Sequence, residues 1–212
     1  MKTMPATATR AETRLLLRNI SWETYERLLG ESIENCGTRF TYDEGNLEVM
    51  VASIGHEMAN RALASLVELT AIETARDFVR TGSTTFKRKD LSKGFEPDSS
   101  FYFRDADMMR DKDELDLAVD PPPELIIEVD IGNSSLNRFP IYASIGVGEV
   151  WRYDGERVRF HSLEGGAYRE IGESVVLPPM TAAQATAFLE RVRHEKATAW
   201  VRAVQTWIRA RI

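Results

Sequence analysis

The segment LIIEVDI at residues 125–131 is the sequence feature that most limits how this chain can fold. Its nearly continuous apolar character is typical of a strand that is buried on both faces, in the middle of a sheet. Side chains two residues apart in a strand point to the same face, so Glu128 and Asp130 are expected to share one face. A carboxylate in a buried strand is costly unless it is paired or binds a metal ion, so the segment also marks a candidate site.

Strand and helix patterns are intermixed around this segment. The periodicities predict strands over 39–43, 47–51, 78–88, 98–103, 149–153 and 158–163, and helices over 21–30, 54–77, 136–145 and 180–212. A polar loop is expected over 89–97. The turn residues Asp154 and Gly155 predict a hairpin, and Pro140 predicts that its helix starts late or bends. The expected fold is therefore α/β (mixed α+β), with a mixed β-sheet and β-hairpins flanked by helices.

The 212 residues fit one domain with short extensions. Residues 1–19 have little pattern and predict a flexible N-terminal arm, while residues 20–190 hold the predicted core. Residues 191–212 continue the domain as a basic amphipathic helix, with six basic side chains against one acid, although the whole chain has a formal net charge of -6. The apolar stripe of this helix is expected to pack on the core or on a second subunit.

Composition excludes several kinds of protein. The lone Cys36 excludes an internal disulfide and a multi-cysteine zinc site, and it favours a reducing cytoplasm. The three histidines are too far apart for a two-histidine zinc motif on one helix. Neither an apolar run long enough to span a membrane nor a secretory signal is present, so a cytoplasmic protein without a membrane span is expected.

Four acids in or beside predicted elements could converge on one hard cation. Glu128 and Asp130 lie in the central strand, Asp98 opens another strand, and Glu57 lies in the first turn of the long helix. Mg²⁺ (or Mn²⁺) suits such a carboxylate set, and it can orient an attacking water on a phosphodiester. Each acid also has a structural interpretation: Glu57 compensates a helix dipole, Asp130 caps a turn, and Glu128 is part of a buried ion pair.

Ordered motifs carry a resemblance to a known family. They are Gly94-Phe-Glu-Pro-Asp98, Pro123-Glu-Leu-Ile-Ile-Glu128-Val129, Ile141-Tyr142 followed by Gly146-Val147 and Glu149-Val-Trp151-Arg-Tyr, and Ser53-x-x-His56-Glu57 at the first long helix. Together they resemble the Uma-type family of restriction endonuclease-like proteins, in the PD-(D/E)xK nuclease superfamily, over roughly residues 20–190. The ordered set is fairly specific, whereas Pro97-Asp98 alone is a weak signal.

The resemblance implies a restriction endonuclease-like core and a catalytic set of Asp98, Glu128, Arg138 and Glu57. Asp98 and Glu128 would be the metal ligands, with Glu57 assisting directly or through water. The superfamily pattern places lysine two residues after Glu128, where this chain has Asp130. The basic residue would then come from the next helix as Arg138, which stays protonated and stabilises charge rather than acting as a base. Asp130 and Arg138 could instead form a salt bridge.

Two basic stretches could contact a nucleic-acid backbone. The first holds Lys87, Arg88, Lys89 and Lys93, just before Asp98, and the second is the C-terminal helix. Three functions stay open: a metal-dependent DNA endonuclease, a catalytically weak or inactive nuclease-fold binding or regulatory module, and a hydrolase of smaller phosphates. A homodimer fits the first, because cutting both strands needs two sites related by a two-fold axis.

Overall fold

The computed structural model describes residues 12–32, 37–132 and 136–212. The strands are β1 (Thr13–Leu17), β2 (Thr38–Asp43), β3 (Asn46–Val51), β4 (Val79–Arg80), β5 (Phe86–Arg88), β6 (Lys93–Phe95), β7 (Ser99–Tyr102), β8 (Leu125–Val129), β9 (Glu149–Tyr153), β10 (Val158–Glu164) and β11 (Ala167–Ile171). The helices are α1 (Trp22–Glu31), α2 (Ile54–Glu73), α3 (Ala106–Met109), α4 (Phe139–Ile145), α5 (Ala182–Arg191) and α6 (Ala197–Arg209).

Two sheets organise the molecule. The first is antiparallel with the order β1-β3-β2-β6-β5. The second has the order β11-β10-β9-β8-β7-β4, and only its β8–β9 pair is parallel. All five residues of β8 are buried, as the apolar pattern predicts. The mixed α and β architecture, with hairpins and flanking helices, confirms the predicted fold class.

Apolar side chains on both faces of the second sheet form the core. One face packs against α2, α5 and α6, and the other against α4. The stripe of α6 formed by Trp200, Val204 and Ile208 is buried in the first of these clusters, so this helix packs on the core of its own chain. A smaller aromatic cluster packs α1 on the first sheet. Among the described helices, none is long and apolar enough to cross a membrane.

Four local predictions differ from the structure. The strand expected over 78–88 is two strands, β4 and β5, which belong to different sheets and are separated by a turn with Gly82 at φ +57°. The loop expected over 89–97 contains β6, and the expected helix 54–77 ends at Glu73. The helix expected over 180–212 is divided into α5 and α6. In α4 the prediction holds, because the helix starts late with Pro140 in its first turn.

The N-terminal arm is the largest departure. Residues 13–17 form β1, which pairs antiparallel with β3 from Thr13–Val51 to Leu17–Leu47; the expected arm over residues 1–19 is therefore wrong for this part, and residues 1–11 lie outside the described residues. The side chain of Arg14 is only 6% exposed because it reaches buried acids. Strands are recognised in a sequence by the alternation of apolar and polar residues. Because the buried Arg14 interrupts this alternation, the sequence pattern did not predict β1.

Candidate functional site

Asp98 and Glu128 lie side by side in the second sheet. Ser99 of β7 pairs with Ile127 of β8 in an antiparallel register, which places Asp98 opposite Glu128. Opposed residues point to the same face, and each of these two is 4% exposed. Asp98 Oδ2 also accepts a hydrogen bond from the Val129 backbone N–H at 2.8 Å. The two carboxylates that the sequence predicted as a pair are therefore neighbours.

Both oxygens of Glu128 already accept hydrogen bonds. The Tyr142 hydroxyl donates to Oε1 at 2.7 Å, and Arg138 Nη1 donates to Oε2 at 2.8 Å. These donors lie on α4 or at its N-cap, where the first turn directs both side chains toward β8. Burial raises the pKa of Glu128, with smaller contributions from the charges of Asp98 and Asp130, while Arg138 opposes them. Arg138 therefore stabilises the ionised form of this carboxylate.

Arg138 also links Glu128 to an acid that sequence reasoning missed. Its Nη2 donates to Glu48 Oε1 of β3 at 2.7 Å, and Arg14 Nη1 donates to the same oxygen at 2.9 Å. The Glu48 side chain is fully buried. Its position inside the strand pattern at residues 47–51 is the only sequence signal for it, and its partners come from distant segments.

Asp130 pairs with other cations than Arg138. Arg14 Nη2 lies 3.0 Å from Asp130 Oδ1, and Arg152 Nη2 lies 2.5 Å from Oδ2. The Asp130–Arg138 salt bridge considered from the sequence is therefore replaced by these two pairs. Glu128 and Asp130 line one cavity of about 520 Å³, as their two-residue spacing predicts.

His56 lies between two carboxylates. Its Nδ1 is 2.6 Å from Glu12 Oε1, and its Nε2 is 2.7 Å from Asp98 Oδ1. Burial lowers the pKa of His56, but the two carboxylates outweigh it and raise the pKa to about 9. Asp98 Oδ1 therefore has an ion-pair partner in His56, although the angle of this contact is poor for a hydrogen bond. The sequence gives no signal for Glu12, which lies in the expected arm.

Glu57 is not part of this buried cluster. Its side chain is 35% exposed and forms loose ion pairs with Arg39 Nη2 at 3.8 Å and Arg61 Nε at 3.9 Å. Arg39 Nε is 4.0 Å from Asp98 Oδ1, so Arg39 lies between Glu57 and Asp98. A metal contact by Glu57 stays a prediction.

The four basic residues expected to contact nucleic acid all have acidic partners in this chain. Lys87 Nζ lies 2.9 Å from Glu26, Arg88 Nη2 2.6 Å from Asp90, and Lys89 Nζ 3.7 Å from Glu23. Lys93 pairs with Asp43 and Glu44. Their charge is therefore locally balanced, and their contact with DNA stays a prediction.

The carboxylates at this site suit a metal ion with two carboxylate ligands better than a metal ion with three. In the part of the chain that the structure describes, no group of three or more His, Cys, Asp or Glu side chains is arranged to hold a metal ion. Mg²⁺ accepts one or two carboxylates and completes its shell with water. Asp98 and Glu128 supply such a pair, and a cation between them would compete with His56 for Asp98 Oδ1 and with Arg138 for Glu128 Oε2.

Glu12 is expected to anchor β1 to the site in a pH-dependent way. Burial raises its pKa, but hydrogen bonds from His56 and Arg14 outweigh this and hold the pKa at about 2. Because the pKa of Glu12 is lowered on folding, its ionised carboxylate stabilises the folded state at pH values above 4.5. This stabilisation is lost as the pH falls toward 2. Glu12→Gln is therefore expected to lower the free energy of unfolding by about 1–3 kcal/mol at neutral pH.

Urea denaturation of both proteins across pH measures this effect. The difference between wild type and Glu12→Gln should narrow progressively below pH 4.5. Glu23→Gln is the matched control, because Glu23 is 73% exposed and should change little at any pH. A Glu12→Gln difference that is independent of pH would contradict the role assigned to the ionised carboxylate.

Comparison with known proteins gives a family match that covers most of the chain. A family described as "Uma2: Putative restriction endonuclease" matches residues 22–189. The match includes His56, Asp98, Glu128 and Arg138, and it excludes β1 with Glu12 and Arg14. A search of curated proteins found no match to the chain.

Proposed function

This chain belongs to the Uma2 family of restriction endonuclease-like proteins, and we propose that it hydrolyses DNA phosphodiester bonds with Mg²⁺ or Mn²⁺ held by Asp98 and Glu128. The observation that carries the proposal is the pair itself. The two buried carboxylates oppose each other on neighbouring strands, and Asp98 Oδ1 is held by an ion pair with His56 at 2.7 Å that a metal ion could replace. Two buried carboxylates side by side are costly for stability alone, which makes the pair a candidate for function.

The surrounding residues have defined tasks in this proposal. A bound divalent ion would offset phosphate charge and lower the pKa of a water nucleophile. Arg138 favours the ionised form of Glu128 against the effect of burial, and it supplies a permanent positive charge beside the phosphate. Tyr142 fixes the orientation of the Glu128 carboxylate, and the Val129 N–H fixes that of Asp98. Glu57 would act through water, from its position beyond Arg39.

Binding to DNA and assembly are further parts of the proposal. We propose that Lys87, Arg88, Lys89 and Lys93 exchange their acidic partners for backbone phosphates, and that a homodimer presents one site to each strand. The single cysteine agrees with a cytoplasmic location.

A nuclease-fold binding module without cleavage is the second candidate. It is favoured by Asp130, which stands where the superfamily pattern would have a lysine, and by Arg138, which is already paired with Glu128. Arg14, Arg138 and His56 together already compensate much of the buried negative charge. This arrangement would preserve a fold and a DNA surface without hydrolysis.

Metal-dependent nicking of supercoiled plasmid separates the two candidates. Wild type is expected to nick plasmid with Mg²⁺ or Mn²⁺ and to lose the activity with excess chelator. Calorimetry on the same samples reports metal binding. Metal binding without nicking would favour the binding module, and absence of metal binding would overturn the proposed metal site.

A further inference from the structure

A row of four charged residues crosses the second sheet from the proposed metal site. Glu128 is opposite Asp98 on one side, and on the other its partner in the parallel β8–β9 ladder is Arg152. Arg152 is in turn directly opposite Arg159 of β10. Paired residues share one face, so two carboxylates are followed by two arginines, with about 4.8 Å between neighbouring strands.

The two arginines form an arrangement that costs stability. Like charges directly opposite each other in an antiparallel pair are destabilising. Arg152 reaches Asp130 at 2.5 Å, and Arg159 pairs with Asp154 and has its Nε 3.9 Å from Glu170. Each pair holds its guanidinium in place, yet the Arg152 and Arg159 side chains are 37% and 25% exposed. A guanidinium has five N–H donors, so each retains donors for an anion.

Arg152 lines the same cavity of about 520 Å³ as Glu128, Arg138 and Tyr142. Arg138 is less suited to bind a second anion, because it is 11% exposed and both of its Nη atoms donate to buried acids. Lys87, Arg88, Lys89 and Lys93 all precede β7 in sequence and lie on or beside the first sheet, not on this row. Across the sheet, Arg152 on β9 and Arg159 on β10 are thus the next residues in the row after Asp98 and Glu128.

We propose that Arg152 and Arg159 form a phosphate-binding subsite for the phosphate next to the one held at Asp98 and Glu128. The inference rests on the proposed function and makes it more specific. A site with two phosphate positions, roughly two strand spacings or 10 Å across, selects a polynucleotide chain over a small phosphate monoester. Guanidinium groups suit it, because they bind phosphate oxygens through two parallel hydrogen bonds.

Fluorescence anisotropy with a labelled DNA duplex in chelator tests this subsite without any need for cleavage. Arg152→Gln and Arg159→Gln are each expected to weaken binding about tenfold, and to reduce the dependence of log affinity on log salt by about one. Arg157→Gln is the matched control, since Arg157 is exposed in the same hairpin and lies outside the row. Arg152→Lys keeps the charge and should retain part of the affinity, and thermal melting checks that each variant is folded.

The outcomes separate this inference from the proposed function. Duplex binding that is equal in Arg152→Gln, Arg159→Gln and Arg157→Gln overturns the subsite, whether or not plasmid is nicked. Wild type that nicks plasmid but does not bind the duplex in chelator also overturns the subsite and leaves the nuclease proposal standing. Binding that depends on Arg152 and Arg159, together with no metal-dependent nicking, supports the subsite and overturns the nuclease.

Discussion

Asp98→Asn is expected to lower metal-dependent nicking by roughly a hundredfold or more. Removing one of two carboxylates from the proposed ion removes several kcal/mol of charge stabilisation, and each 1.36 kcal/mol changes a rate about tenfold. Asparagine has nearly the same side-chain volume as aspartate. Its carbonyl oxygen can still accept the hydrogen bond that the Val129 N–H donates to Asp98 Oδ2 at 2.8 Å. Nicking rates and Mn²⁺ calorimetry on the same preparations measure the effect.

Asp120→Asn is the matched control for this substitution. Asp120 is also a buried aspartate that accepts from a backbone N–H, at 2.9 Å from Asp116, and from a lysine, Lys112, at 2.6 Å. The substitution Asp120→Asn is therefore expected to leave nicking and metal binding unchanged. Glu57→Gln should reduce nicking by less than Asp98→Asn, because Glu57 lies at the exposed side of Arg39. Unaltered metal affinity in Asp98→Asn would contradict the assignment of Asp98 as a ligand.

The carboxylate pair was accessible from sequence because its signal is local. Glu128 interrupts a run of apolar residues, and Asp98 begins a strand after a proline. Their convergence follows from strands β7 and β8 being antiparallel neighbours. The family resemblance, rather than local pattern, implied that the helix after this strand would supply Arg138, and the late start at Pro140 places Arg138 at the N-cap of α4.

The ion pairs that compensate the buried acids could not be predicted from the sequence, because the paired residues are far apart in the chain. Glu12 contacts His56 across 44 positions, and Arg138 contacts Glu48 across 90. These contacts depend on how β1 and β3 pair and on where the first sheet meets the second, which no short pattern encodes. Lys87 shows the same limit, since its acidic partner Glu26 is 61 positions away.

Arg138→Met is expected to be the most destabilising of these substitutions. The change would leave Glu128 without its cation at 2.8 Å and would remove one of two arginines from Glu48. Removing one partner of a buried ion pair costs about 3–5 kcal/mol, because a buried charge is left uncompensated. That is a large part of the roughly 5–15 kcal/mol that typically stabilises a domain. Urea denaturation at neutral pH measures the loss.

Arg209→Met is the matched control, because it makes the same substitution at an arginine that is exposed. Arg209 is 63% exposed, and it donates to both oxygens of Glu73, whose side chain is 9% exposed, at 2.6 and 2.8 Å. Glu73 keeps Gln205 as a donor at 2.8 Å, so this variant should lose much less stability than Arg138→Met. Adding Glu128→Gln to Arg138→Met removes the charge that has lost its cation, and about 0.5–3 kcal/mol of coupling should be recovered. A loss in Arg138→Met no larger than in Arg209→Met would mean that the buried acids are neutralised in another way, by Arg14 or by protonation of Glu128.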